Sequence, residues 1–247
     1  MFFPYKDDNP RLVVPFVSYA IIALNLIVFF YQMGLDFAAS HEFTLSFGLI
    51  PAVFTDLPRG DITIAYAQYL SEAANSRIFL DAVPNSPYLT VFTSMFMHGG
   101  IMHLFGNMLF LWIFGDNVEG ALGHVKFAVF YILCGIGAAA GQIFIDVNSM
   151  VPMIGASGAI SCVLAAYMLK YPRARIHTFV FLFVIFTTIQ VPAFVVIGIW
   201  FVMQVISGVG ALGANTGGGV AWFAHIGGFI TGVLLERFYK FTRIKKY

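Results

Sequence analysis

A chain of 247 residues that is 60% hydrophobic, 17% aromatic and only 10% charged holds less than half the roughly 25% charge of an ordinary soluble domain. Its formal net charge of +1 supplies no cationic surplus for a phosphate backbone, which excludes nucleic acid as the main partner, and no Ser-, Pro- or Gln-rich tract marks disorder. The 13 basic and 12 acidic residues keep outside, or to the margins of, six apolar stretches, and none falls between Arg175 and Glu236. Uncharged apolar runs of roughly 18 residues or more are candidate membrane spans.

In chain order the stretches predict spans at 15–33, 98–115, 126–145, 154–171, 192–212 and 220–238. The implied fold class is all-α: a polytopic membrane helical bundle with six transmembrane helices, one domain over residues 1–247. The first run, Pro15 to Met33, has no small-residue cleavage site and is expected to stay as a span. The large outer loop 34–97 is too long for a turn, and its mix of apolar and polar residues (Ile62, Ile64, Tyr66, Tyr69 and Leu70) predicts surface-lying amphipathic helix. Cys134 and Cys162 both fall inside spans, so no extracellular disulfide framework is expected. Thr178–Ile189 is apolar but too short to cross a ~30 Å core, which predicts a re-entrant or interfacial segment. The alternative, one tilted helix over 178–212, is opposed by Pro192.

The basic residues set the orientation. Lys6, Arg11, Lys126, Lys170, Arg173, Arg175, Arg237, Lys240, Arg243, Lys245 and Lys246 fall on the side that holds both termini, against only Arg59 and Arg77 on the other. Cytoplasmic termini and an outward 34–97 connection follow. The compact form predicts a bacterial plasma membrane. No matching halves with interrupted helices are visible, which argues against a repeat-built transporter.

Polar groups inside spans are costly and therefore candidates for function. Asn25 and Gln142 stand alone, and packing between helices accounts for them. A more organised set lies near the outer ends of three spans. The fourth enters through Gly155-Ala156-Ser157-Gly158, and the sixth carries Ala224-His225 followed by Gly227, Gly228 and Gly232. At ~1.5 Å per residue, Ser157 and His225 lie at similar depth, where a neutral imidazole can activate a hydroxyl. The second span reads His98-Gly-Gly-Ile-Met-His103-Leu-Phe-Gly-Asn107. His103 and Asn107 share a helix face, and both can donate to a carbonyl oxygen that develops negative charge. Taken singly, Ser157 reads as a cap or packing residue and the second-span pair as a polar stripe facing other helices. A metal site from His98, His103 and His225 is disfavoured: His98 and His103 stand about 140° apart around a helix, and no Cys or carboxylate joins them.

Three separated motifs, His-x-x-x-x-His-x-x-x-Asn at 98–107, Gly-x-Ser-Gly at 155–158 and Ala-His-x-x-Gly at 224–228, together resemble the rhomboid intramembrane serine proteases over roughly residues 88–236. The resemblance implies an intramembrane serine endopeptidase acting on transmembrane protein substrates within the lipid bilayer, near its outer face, with no cofactor and no metal. In it Ser157 is the nucleophile and His225 the general base, a dyad working through an acyl-enzyme. The Ser157 backbone N–H, His103 and Asn107 would hold the oxyanion. Gly155 and Gly158 would admit the scissile backbone, Gly228 and Gly232 would draw the sixth span against the fourth, His98 would structure the loop, and Glu119 would brace the cytoplasmic side. Two departures stand out: the 34–97 loop has no Trp, and Ser161 occupies a position where some rhomboids carry a tyrosine stacked on the imidazole, so another group must orient His225. The 213–219 loop or the fifth span would gate the site. The rival readings are a catalytically inactive rhomboid-like factor that binds membrane proteins, and a channel or transporter, the latter opposed by the uncharged spans.

Overall fold

A computed structural model describes residues 2–54, 86–182, 185–212 and 220–239. The apolar runs are helices, the form in which a segment satisfies its own backbone hydrogen bonds without water: α1 (Phe16–Met33), α2 (Phe37–Phe47), α3 (Pro87–Thr93), α4 (Ile101–Leu122), α5 (His124–Ile145), α6 (Ser157–Lys170), α7 (Ala193–Leu212) and α8 (Trp222–Phe238). Short 3-10 turns occupy Pro51–Phe54 and Ser94–Phe96. Helices α1, α5 and α7 are each long and apolar enough to cross a membrane, and a fourth span counts if Pro87–Phe96 and α4, bent by 83° relative to each other, are taken together. Helix α6 lies at the centre, packed by α4, α5, α7 and α8, so that every residue from Gly158 to Tyr167 is buried.

The all-α expectation needs correction. The segment expected to be re-entrant or interfacial is most of a β-hairpin, β2 (Arg175–Leu182) with β3 (Ile185–Pro192), paired from Arg175↔Pro192 to Leu182↔Ile185. The N-terminal strand β1 (Phe2–Asp7) adds to β2 to complete a three-stranded antiparallel sheet. Val, Ile, Thr and Phe suit a pleated surface. Ile176, Thr178 and Val180 turn inward and are buried, while Phe179 and Phe181 face outward.

One further correction concerns α4. Helix α4 runs seven residues beyond the expected end at 115 because its polar last turns are fully partnered. The buried Glu119 carboxylate accepts from the Val17 and Ser18 N–H groups at 2.9 and 2.8 Å and from Ser18 Oγ at 2.7 Å, and meets His124 Nδ1 at 2.6 Å. First-turn N–H groups of a helix have no partner within it, and an anion there also suits the helix dipole. Glu119 therefore anchors α1. Asp116 pairs with Arg11 at 3.2 Å. Asp7 of β1 accepts from Tyr167 Oη at 2.5 Å and from Asn117 at 3.2 Å; its burial, with Asp116 nearby, pushes its carboxyl up to about 6. Cys134 of α5 and Cys162 of α6 form a disulfide between facing core positions 5.7 Å apart at Cα.

Within the 34–97 connection, α2 is capped by Asp36, which accepts from the Ala39 N–H. Ile62, Ile64, Tyr66, Tyr69 and Leu70, and the 213–219 loop expected to gate the site, lie outside the described residues.

Candidate active site

Leu104 of α4 stands level with Ser157 at the start of α6. The Phe114 ring meets that of Tyr167 edge-on at 4.8 Å, and ten residues up each helix from that contact stand Leu104 and Ser157. Gly158 packs on Ala138 of α5, and α5 continues seven residues beyond Ala138, about 10 Å at 1.5 Å per residue. The start of α6 is thus recessed below the end of α5, whereas α8, whose Gly227 meets Gly141 of α5, starts level with that end. The loop entering α6 is held by the outer connection: the Gly155 N–H donates to the Ser94 carbonyl at 2.9 Å, and Leu49 and Met153 exchange backbone hydrogen bonds.

Ser157 is the first residue of α6, and His225 lies one turn into α8. Their side chains meet, with Ser157 Oγ 2.7 Å from His225 Nε2. Both line a cavity of about 770 Å³ shared with His103, Gly155 and Gly158. The approach rests on small residues. A Cβ on Gly228 would stand 2.0 Å from the Gly158 carbonyl oxygen, and one on Gly232 would stand 2.5 Å from that of Cys162. On its other side α8 meets α5 just as closely, Gly227 against Gly141 and Thr231 against Gly137, a second seam that the sequence reading missed. Ser161 does not stack on the imidazole. Its hydroxyl lies 2.6 Å from the Gly158 carbonyl and 2.9 Å from that of His225, bonding the backbones of α6 and α8 together.

His103 reaches the same space. The Gly99 N–H lies 3.4 Å from His103 Nδ1, which leaves the ring proton on Nε2. That nitrogen lies 2.8 Å from where a Cβ on Gly155 would be. Gly155 also has a φ of +128°, so glycine meets both a steric and a backbone requirement there. Asn107 is placed differently: its amide donates to the His103 carbonyl at 2.9 Å, and it does not line the cavity. His98 is buried behind His103, ring centroids 4.9 Å apart, and its backbone N–H donates to Gln32 of α1 at 3.1 Å. Glu119 is at the opposite end of α4. Among the described residues no group of three or more His, Cys, Asp or Glu could hold a metal ion.

Gln204, not among the residues expected from the sequence, completes the site. Its Oε1 lies 2.7 Å from His225 Nδ1, and the Trp200 and Trp222 rings flank the imidazole at 5.9 and 6.3 Å. Gln204 and Ser207 are the only polar uncharged side chains of α7 besides the indole of Trp200. The criterion that singled out Asn25 and Gln142 would have found Gln204 as well. Gln142 itself accepts the Ala224 N–H at 3.2 Å, at the start of α8.

Fold and site together define a class, a helical membrane protein with a Ser–His pair recessed among its helix starts. The family model described as Rhomboid domain matches residues 85–240, more than half of the chain, and the chain belongs to the rhomboid family, as the three motifs imply. It is 31% identical over 140 residues to RHOMBOID-like protein 4 of Arabidopsis thaliana, covering 56% of this chain and 31% of that protein. It is 30% identical over 151 residues to Rhomboid protein 1, mitochondrial, of Saccharomyces cerevisiae (59% and 40%), and 33% identical over 90 residues to Presenilin-associated rhomboid-like protein A, mitochondrial, of Danio rerio (36% and 24%). The chain thus spans about a third of the length of these curated relatives.

Proposed function

We propose that this rhomboid-family chain is an intramembrane serine endopeptidase with six membrane spans, cleaving transmembrane-segment peptide bonds near the outer face. The observation that carries the reading is the 2.7 Å Ser157 Oγ–His225 Nε2 contact inside the ~770 Å³ cavity. Ser157 Oγ attacks the scissile carbonyl carbon while its proton passes to His225 Nε2. The oxyanion is held by the Ser157 N–H, at the positive end of α6, and by His103 Nε2–H. Asn107, which does not line the cavity, joins them only by turning an amide N–H toward the oxyanion. His225 then gives its proton to the leaving amine as the C–N bond breaks, and the Ser157 ester is hydrolysed by a water that His225 deprotonates. No step calls for a metal or a cofactor.

A peptide bond in a helical span is shielded by its own hydrogen bonds, so substrates with Gly-rich or otherwise helix-destabilising segments near the outer face are favoured. The 213–219 loop or α7 gates their entry. A catalytically inactive binding factor has no need of a paired Ser157 and His225, which favours the enzyme. The mitochondrial names of two relatives lend no support to a bacterial plasma membrane. The test is cleavage of a model transmembrane substrate by the protein reconstituted in vesicles. Wild type should cleave and take up a fluorophosphonate probe; Ser157→Ala and His225→Ala should fall by about 10³-fold or more. Full activity in Ser157→Ala refutes the dyad.

A further inference from the structure

The imidazole of a Ser–His pair must keep its free lone pair on the nitrogen facing the serine, and among the described residues no Asp or Glu lines the cavity to enforce it. Building on the endopeptidase reading, we propose that Gln204 is the positioning residue of the site, fixing the tautomer and ring orientation in which His225 accepts the Ser157 proton.

Each link follows from the chemistry of the one before it. The Trp200 carbonyl can only accept, so the Gln204 amide nitrogen, 3.1 Å away, is the atom that faces it. The amide oxygen therefore faces His225 Nδ1 at 2.7 Å. An amide oxygen can only accept, so Nδ1 carries the ring proton. Nε2 is left with its lone pair toward Ser157 Oγ at 2.7 Å. The opposite tautomer would set two lone pairs against each other at Nδ1 and turn an N–H toward Ser157 Oγ, leaving no base for the serine proton. Gln204 and His225 are both buried, so the amide–imidazole bond has little competition from solvent. An amide behind the imidazole serves this purpose in Cys–His–Asn sites as well. The arrangement also ties the chemistry to α7. Gln204 belongs to that helix's buried stripe of Ala193, Ile197, Gln204 and Gly208, so His225 is set for proton transfer only while α7 is seated on α8.

The test uses the purified full chain in vesicles with a fluorogenic transmembrane substrate, together with a ¹⁵N-histidine-labelled sample for NMR. Gln204→Leu should lower kcat by between about 10- and 10⁴-fold, the upper figure being the cost of a wrong tautomer in a Ser–His–Asp site, with KM changed less than about twofold. Gln204→Glu keeps the acceptor and adds a charge. It should retain activity, with the acidic limb of the pH–kcat profile moved to higher pH by about one unit or more, an effect that a packing role would not produce. In wild type the His225 resonances should show the proton on Nδ1, and in Gln204→Leu a tautomer mixture. An unchanged kcat in Gln204→Leu, or a wild-type His225 protonated on Nε2, overturns the proposal. If wild type neither cleaves nor takes up the fluorophosphonate, the endopeptidase reading fails, and the tautomer measurement alone decides the role of Gln204.

Discussion

The two ends of the bundle handle buried polar groups in opposite ways. At the basic end a full charge is kept and surrounded: Glu119 meets four donors from α1 and His124, and Asp116 meets Arg11. At the recessed end the groups are neutral and strung in a line, Ser157 to His225 to Gln204 to the Trp200 carbonyl. A carboxylate compensated on every side fixes two helices firmly but has nothing to give or take. A neutral line with one donor per link can pass a proton at low electrostatic cost, provided its members are held by the backbone. Glycine seams supply that hold, so one end is locked by charge and the other by close approach.

The largest expected effect breaks the seam. Gly228→Val sets side-chain atoms against the Gly158 carbonyl, where even a Cβ stands at 2.0 Å. Backbone must shift, at a cost of about 3 kcal/mol or more, and both thermal stability and cleavage should collapse. Next is His103→Ala, expected to lower kcat about 10²-fold with stability little changed. Asn107→Ala should cost less than His103→Ala, because His103 lines the cavity and Asn107 does not; equal losses would show that Asn107 swings into the cavity during turnover. At the other end, Glu119→Gln removes the charge from the hydrogen bonds to Val17 and Ser18. It should lower unfolding free energy by about 1.5–3 kcal/mol while the folded fraction keeps a wild-type kcat. A loss of kcat in the folded protein would mean the two ends are coupled.

Helix positions were legible because apolar runs and helices coincide: α1, α5, α7 and α8 begin within two residues of the predicted starts. The hairpin was not. Phe179 and Phe181 on its outward face are as apolar as Ile176 and Val180 on the inward one, so the run lacks the alternation that marks a half-buried strand. The third strand was also hidden, since Phe3 pairs with Phe179, far along the chain, and local pattern carries no trace of that partner. The end of α4 was misread because Asp116, Asn117 and Glu119 look like a loop until their partners from β1 and α1 are known. At the site, Ser157, His225 and His103 were legible as chemistry-bearing groups at one depth. Gln204 was legible only as a polar group inside a span, because its meaning depends on which face of α7 turns to α8. The Cys134–Cys162 bond was hidden for a similar reason, since nothing local in either span says that the two cysteines face each other.

The smallest expected effect separates the ends by pH. Asp7 has a folded value of about 6 against an ordinary 3.8, set by burial and by Asp116. A carboxyl raised in this way binds its proton more tightly in the folded state than in the unfolded one. Its contribution to stability is complete below about pH 4 and is lost as pH rises through about 6. The melting temperature should therefore fall modestly between pH 5 and 7, and Asp7→Asn, which stays neutral throughout, should flatten that slope. Tyr167, whose hydroxyl donates to Asp7, stands on α6 ten residues from Ser157, so the same titration also tests whether the basic end reaches the site. With Asp7 acting only as a clasp between β1 and the bundle, the pH–kcat profiles of wild type and Asp7→Asn should superimpose while their melting curves diverge. A profile that moves with the variant would make the N-terminal strand part of the catalytic control.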